Sequence, residues 1–299
     1  MNTANKELKL RVDKVATVQS RQRTGMGTKI VTFSVLALMG ILIMVPFVLM
    51  IVAAFTPSRY IFAHGLNLDI DFSRLTFSNF FSLFTNRDGI YWRWYGNSLF
   101  ITAVSSVLVL LFTSMVGYGL SLYQFKGRNF IFTLVLILMM VPPQILLIPL
   151  FRLMTTLRLM DTFAGVILPG LLPAGTIFFF RQFCMGLPKD YAEAARIDGC
   201  GEGRIFFQIY VPLMKPAFGA MTILTGMGVW NDFLWPLVVL RSTENLTLAP
   251  GLLSAMTPHG NNYDLLFAGS LMAVIPIVIL FLFNQKSFIE GLTVGGVKG

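Results

Sequence analysis

Residues Asp190 to Pro212 read DYAEAARIDGCGEGRIFFQIYVP. The stretch carries charges of both signs and lies between apolar runs, each long enough to cross a bilayer. That contrast makes it the place where a membrane-embedded chain would meet a soluble partner. The remaining composition agrees. With 55% hydrophobic and 12% charged residues, the 299-residue chain has too little polar surface for a water-soluble globule. Its mean hydropathy is +0.72.

Toward the amino terminus, the nearest charge-free run is Thr162 to Phe180, interrupted by Pro169, Gly170 and Pro173. Before it, Phe130 to Phe151 contains Pro142, Pro143 and Pro149, which remove backbone donors and predict a bent or broken helix. Only Lys126 to Asn129 separates this run from Asn97 to Phe125, so the two form an antiparallel hairpin. Ile30 to Phe55 is 26 residues without a charge, about 39 Å as a helix against about 30 Å of hydrocarbon. It exceeds the apolar core of a cleaved signal peptide and is expected as a retained first span. Between these, Thr56 to Gly96 reads as a mixed loop with the run Tyr91-Trp92-Arg93-Trp94-Tyr95, whose rings suit the headgroup zone. Toward the carboxyl terminus come Pro216 to about Leu240 and Leu265 to Gln285. The expectation is an all-α polytopic membrane protein with six transmembrane helices over residues 30–285, a polar loop at 181–215, and tails at 1–29 and 286–299.

Lys and Arg fix the orientation. Of the 23, sixteen fall in the two tails, the Lys126 loop and the polar loop, and seven in the three alternate loops. Cations are retained on the cytoplasmic side, so both termini and the polar loop are expected there. The net charge of +9 is thereby a topology signal, and nucleic acid is not expected as a partner.

Catalytic chemistry finds no seat. Cys184 and Cys200 match no metal or redox spacing, and His64 and His259 lie in loops of the opposite face. In the ending GLTVGGVKG, Gly291 and Gly296 hold the first and sixth places of a phosphate loop. However, Val297 precedes Lys298 and no Ser or Thr follows. No GxSxG, HExxH or paired carboxylates within one span occur. The chain is expected to bind no metal or cofactor and to hydrolyse no ATP itself.

Within the polar loop, Asp190 follows Pro188 and precedes Glu193 by three, a pattern that can cap a helix start. Tyr191 to Asp198 would make about two turns, and Gly199 suits a left-handed stop. Ala192, Ala194 and Ala195 keep the helix narrow enough for another backbone to approach. Arg204 to Val211 reads as a second short amphipathic segment ended by Pro212. A helical hairpin lying on the headgroups and a docking knob fit this pattern equally.

Glu193-Ala194-Ala195, then Gly199, then Ile209-x-Val211-Pro212 resembles the EAA signature of bacterial ABC importer permeases, with Val211 where Leu is common. Asn97-Ser98-Leu99, Pro143, Ile148-Pro149-Leu150, Asp161-Thr162 and Trp230-Asn231-Asp232-Phe233 resemble the carbohydrate-uptake branch. The ending from Gly291 is similar to that of its MalG-like permeases.

The resemblance implies a permease subunit of an ATP-driven importer in the bacterial cytoplasmic (inner) membrane, moving a sugar or oligosaccharide by alternating access. Its implied partners are a second MalF-like permease, two cytoplasmic ABC ATPase subunits that use ATP and Mg, and a periplasmic or lipid-anchored sugar-binding protein. Glu193, Ala194, Ala195, Asp198, Gly199, Ile209 and Pro212 would form the coupling segment. Glu193 would be its charged contact, Ala194 and Ala195 its close-packed face. Glu290, Gly291, Leu292 and Thr293 would reach the ATPase pair. Pro250, Gly251, Pro258 and Asn261 would belong to a loop entering the binding protein.

Asp232 lies in an apolar run where a carboxylate costs on the order of 3 kcal/mol, so it should face a cavity, a polar partner or the outer rim. With Trp230, Asn231 and Trp235 it marks a candidate substrate path, although tryptophans there also serve as belt anchors. Two alternatives remain: a permease for a non-sugar solute, and an ion-coupled secondary transporter, for which Asp232 is the only intramembrane carboxylate.

Overall fold

The computed structural model describes residues 26–64, 72–257 and 260–294. The tail up to residue 25, Pro258 and the last five residues lie outside them. The regular structure of the described chain is helical apart from one antiparallel ladder between β1 (Met256–Thr257) and β2 (Gly260–Asn261).

The chain divides into two compact units, Met1–Val52 and Ala53–Gly299. The first is dominated by α1 (Met26–Phe55), a 30-residue helix with Pro46 inside it and no charge after Lys29. A helix apolar on every side has no face to offer water, which suits a lipid setting.

In the second unit, α2 (Ser58–His64) and α3 (Ser78–Thr85) precede α4 (Ile90–Leu122), which starts seven residues before the expected span. Next come α5 (Arg128–Met139), α6 (Leu147–Thr156), α7 (Phe163–Ile167) and α8 (Ala174–Met185). A 96° bend separates α5 from the Pro143–Thr156 segment, and a 46° bend separates Phe163–Gly170 from α8. Both follow from proline: Pro142 and Pro173 sit in extended backbone, with ψ of 128° and 126°, and neither they nor Pro143 can donate to the helical ladder.

The polar loop holds α9 (Asp190–Ile197), α10 (Glu202–Ile205) and α11 (Val211–Leu213). Beyond it lie α12 (Lys215–Trp230), α13 (Leu234–Val239), α14 (Leu248–Ser254) and α15 (Tyr263–Val294). Three described helices are long and apolar enough to cross a membrane, and the two bent pairs raise this to five. The expected fifth crossing is split, because α12 has 16 residues and stops before Asn231. The sixth runs on as helix through Val294, into the residues expected as a tail.

In the second unit α12 packs on α15 and α4, and α4 packs on α8. Two buried clusters result. One gathers Tyr91, Trp94, Ile101, Trp230, Leu248 and Leu265. The other gathers Tyr118, Phe180, Cys184, Tyr210, Met214 and two alanines of α9, Ala192 and Ala195. Tyr91 and Trp94, expected at the headgroups, are instead buried. Backbone carbonyls inside the protein satisfy their polar ends: Tyr91 Oη donates to Gly269 O at 3.0 Å, and Trp94 Nε1 to Thr243 O at 2.7 Å.

Candidate functional site: the polar loop and a cavity

The helix α9 begins at Asp190, and its N-cap is Lys189, with no side-chain cap hydrogen bond. The expected Asp190 cap is therefore corrected: Asp190 and Glu193 both lie within the first turn, where carboxylates favour the positive end of the helix dipole. The stop is as expected. Gly199 has φ +77°, its amide donates to Arg196 O at 3.0 Å, and the Cys200 amide donates to Ala195 O at 2.9 Å. This is the paired closure that a left-handed residue after a helix provides.

The two faces of α9 differ. Ala192 and Ala195, three residues apart, are buried against the cluster containing Ile205, Phe206 and Tyr210. Tyr191, Glu193, Ala194 and Asp198 are exposed, and Ile197 is 87% exposed. Ala195, expected beside Ala194 on the outward face, thus belongs to the inward one. Pro212 does not end the second segment. A π turn over Phe206–Tyr210 precedes α11, and the chain stays helical through Pro212. A wider turn is one way to accommodate a proline that offers no amide to the preceding turn. Ile209 is half-buried there and Pro212 is exposed.

A polar cluster that the sequence reading missed ties α9 to the end of α4. Arg196 Nε lies 2.7 Å from Glu202 Oε1, and Arg196 Nη2 lies 3.3 Å from Oε2. Tyr123 Oη donates to the same carboxylate, and Tyr118 Oη reaches it at 3.5 Å. Arg196, then Tyr123, hold the Glu202 carboxyl below its ordinary range, and Glu202 raises Arg196 in return. A spacing of six matches no helical period, so only the turn at Gly199 brings the ion pair together. Cys184 is buried, with Sγ 3.1 Å from Met214 Sδ, and Cys200 is half-buried; both are free thiols. Among the described residues no cluster of His, Cys, Asp and Glu could hold a metal.

A cavity of about 330 Å³ opens where both proline breaks, α4 and the gap between α12 and α13 converge. Its polar lining is Ser98, Ser105, Gln144, Asp232, Trp235 and Thr247. Of the expected path residues, Asp232 and Trp235 are brought together here, whereas Trp230 and Asn231 are not among the lining. Trp230 is buried, with Nε1 donating to Ala273 O at 3.1 Å, and the exposed Asn231 side chain donates back to Met227 O in α12. Asp232 accepts from the Trp235 amide at 3.4 Å, and Trp235 Nε1 donates to Gly165 O at 3.2 Å, fixing the indole. Ser98 Oγ accepts from the Leu248 amide at 2.8 Å. The Thr247 hydroxyl is buried without a partner. Ser98, Gln144 and Thr247 come from distant segments; Ser98 falls within the Asn97-Ser98-Leu99 stretch, and no local pattern marks Gln144 or Thr247.

Arg241 to Asp264 is more structured than a free loop. Pro250 and Gly251 lie buried in α14, and a Cβ built on Gly251 would stand 2.3 Å from Trp94 Cδ2. Both are packed within the chain. Asn261 lies on β2, and Pro258 is outside the described residues. The segment is anchored by Asp161. Its carboxylate accepts from the amides of Arg241 at 2.9 Å and Ser242 at 3.0 Å, and from the Ser242 hydroxyl. Desolvation pushes this carboxyl upward, but the donors from Ser242 and Arg241 outweigh it and hold it at about 2. Glu290, Gly291, Leu292 and Thr293 continue α15.

Residues 110–289 match the family described as binding-protein-dependent transport system inner membrane component. The arabinooligosaccharides transport system permease protein AraQ of Halalkalibacterium halodurans is 56% identical over 85% of this chain and 91% of its own length. AraQ of Bacillus subtilis is 52% identical over 88% and 93%. The lactose transport system permease protein LacG of Rhizobium radiobacter is 34% identical over 90% and 96%. A solved bacterial ABC transporter involved in import of the acidic polysaccharide alginate shares the fold, with a TM-score of 0.77 at 23% identity over 88% of this chain and 98% of that one. On the family match and these identities, the chain belongs to the inner membrane components of binding-protein-dependent transport systems.

Proposed function

We propose that this chain is one of two membrane subunits of an ABC importer for arabinose-containing oligosaccharides. The observation that carries the sugar is the 56% identity to a permease of that name across nearly the whole of both chains. In this reading six crossings place both termini and α9 in the cytoplasm. A separate ATPase pair seats on the exposed face of Tyr191, Glu193, Ala194 and Ile197, and a binding protein delivers sugar from the other side. Closure of the ATPase pair on ATP pulls α9, and α9 pulls α4 through Arg196, Glu202 and Tyr123. Such coupling requires each state to offer the ATPase different contacts, and a helix held by its own chain on one face and bare on the other suits that need. The carboxyl-terminal turn of α15, Glu290 to Thr293, extends toward the same partner. Asp232 and Trp235 lie on the sugar path.

The test is uptake of labelled arabinotriose into proteoliposomes holding the full complex, with binding protein outside and ATP trapped at the ATPase face. Uptake should require ATP and survive a protonophore and a sodium ionophore. Uptake that collapses with either ion gradient while ATP is held constant would mean an ion-coupled transporter. Uptake of lactose in place of arabinotriose would keep the mechanism and change the sugar.

A further inference from the structure

The alginate-importing neighbour shares the fold, so the backbone alone does not settle whether a neutral or an acidic sugar passes. The cavity does bear on this. Among the described residues that line it, Asp232 is the one ionisable group and no cation is present. The surrounding wall is mixed: Trp235 offers a fixed aromatic surface, Ile101, Leu147 and Val166 offer aliphatic ones, and Ser105 and Gln144 offer hydroxyl and amide groups. About 330 Å³ falls in the range of small-molecule sites. A sugar ring has the matching chemistry, with C–H faces that lie on indole and aliphatic carbon and hydroxyl edges that donate to carboxylate and amide oxygens. Thr247 adds a buried hydroxyl with no partner, and rotation about χ1 would exchange its methyl and hydroxyl positions toward the ligand.

We propose that this chain carries its own sugar-ring site in the cavity, where Asp232 and Gln144 bind the hydroxyls of an uncharged sugar against Trp235, and where the Asp232 carboxylate rejects acidic sugars. The inference rests on the sugar-import reading above. A uronate entering here would bring a second carboxylate beside Asp232 with no cation to share, whereas a neutral ring donates a charge-assisted hydrogen bond to the same oxygen pair.

Saturation-transfer NMR on the purified complex without binding protein provides the test, with arabinotriose as the neutral probe and a galacturonate trimer as the acidic one. Copurification with the ATPase subunits serves as the assembly check. Wild type should bind arabinotriose and not the galacturonate. Asp232→Asn should weaken arabinotriose about tenfold or more, as for the loss of a hydrogen bond to a charged group, and narrow the gap between probes. Gln144→Ala, a truncation at an exposed position, should weaken arabinotriose too. Absent binding, equal binding of both probes, or arabinotriose binding unchanged in both variants would overturn the site. If any of these occurs while wild-type complex still imports arabinotriose, the site fails and the importer reading stands. If wild type imports no neutral sugar, that reading fails and takes the site with it.

Discussion

Gly251 has no room for a side chain. A Cβ there would fall 2.3 Å from Trp94 Cδ2, and Trp94 cannot step aside because its indole is pinned to Thr243 O and buried against α14. Gly251→Ala should therefore destabilise the subunit by about 1–3 kcal/mol, the cost of overpacking a fixed core. A lowered midpoint in thermal unfolding of the purified complex checks it; an unchanged midpoint would show that α14 can shift. The same residue shows why the sequence misled at this scale. Pro-Gly reads as part of a loop, and Tyr91 and Trp94 read as interface anchors, because local chemistry is identical in both settings. Only their packing on each other assigns both to the interior. Gly199, whose role is local, was legible: its left-handed backbone closes α9 without help from distant residues.

At the scale of elements, the ties around α9 matter more than its own propensity. Eight residues make a helix too short to stand alone in water. It is held by Ala192 and Ala195 on one side and by the Arg196–Glu202–Tyr123 cluster at its end. An exposed ion pair contributes little stability, roughly 0–1 kcal/mol, so its removal should be felt in coupling and not in folding. Arg196→Glu and Glu202→Arg should each cut sugar moved per ATP hydrolysed several-fold with assembly intact. The double exchange Arg196→Glu with Glu202→Arg should recover most of it. Equal loss in the double variant would mean that each side chain acts through some other contact. The sequence showed the proline breaks and the short helix because each is local. It hid the π turn before Pro212 and the inward turn of Ala195, since both depend on how the whole segment rolls against Tyr210 and Phe206.

Over the second unit as a whole, two buried clusters share the long helices α4 and α12, one cluster beneath α9 and the other beside the cavity. The helices that pack beneath α9 are thus the ones that line the cavity through Ser98, Ser105 and Val229. In the importer proposed above, this continuity is the route by which ATP use by a partner would reach the sugar path. The measurement that bears on it most directly is sugar uptake alongside ATPase copurification for Glu193→Lys, which reverses the charge on the exposed face of α9. Arabinotriose uptake should fall about tenfold or more, the scale of breaking a charged contact at an interface, with the ATPase subunits lost or their hydrolysis no longer answering to the binding protein. Unchanged uptake with unchanged copurification would contradict α9 as the joint between the two.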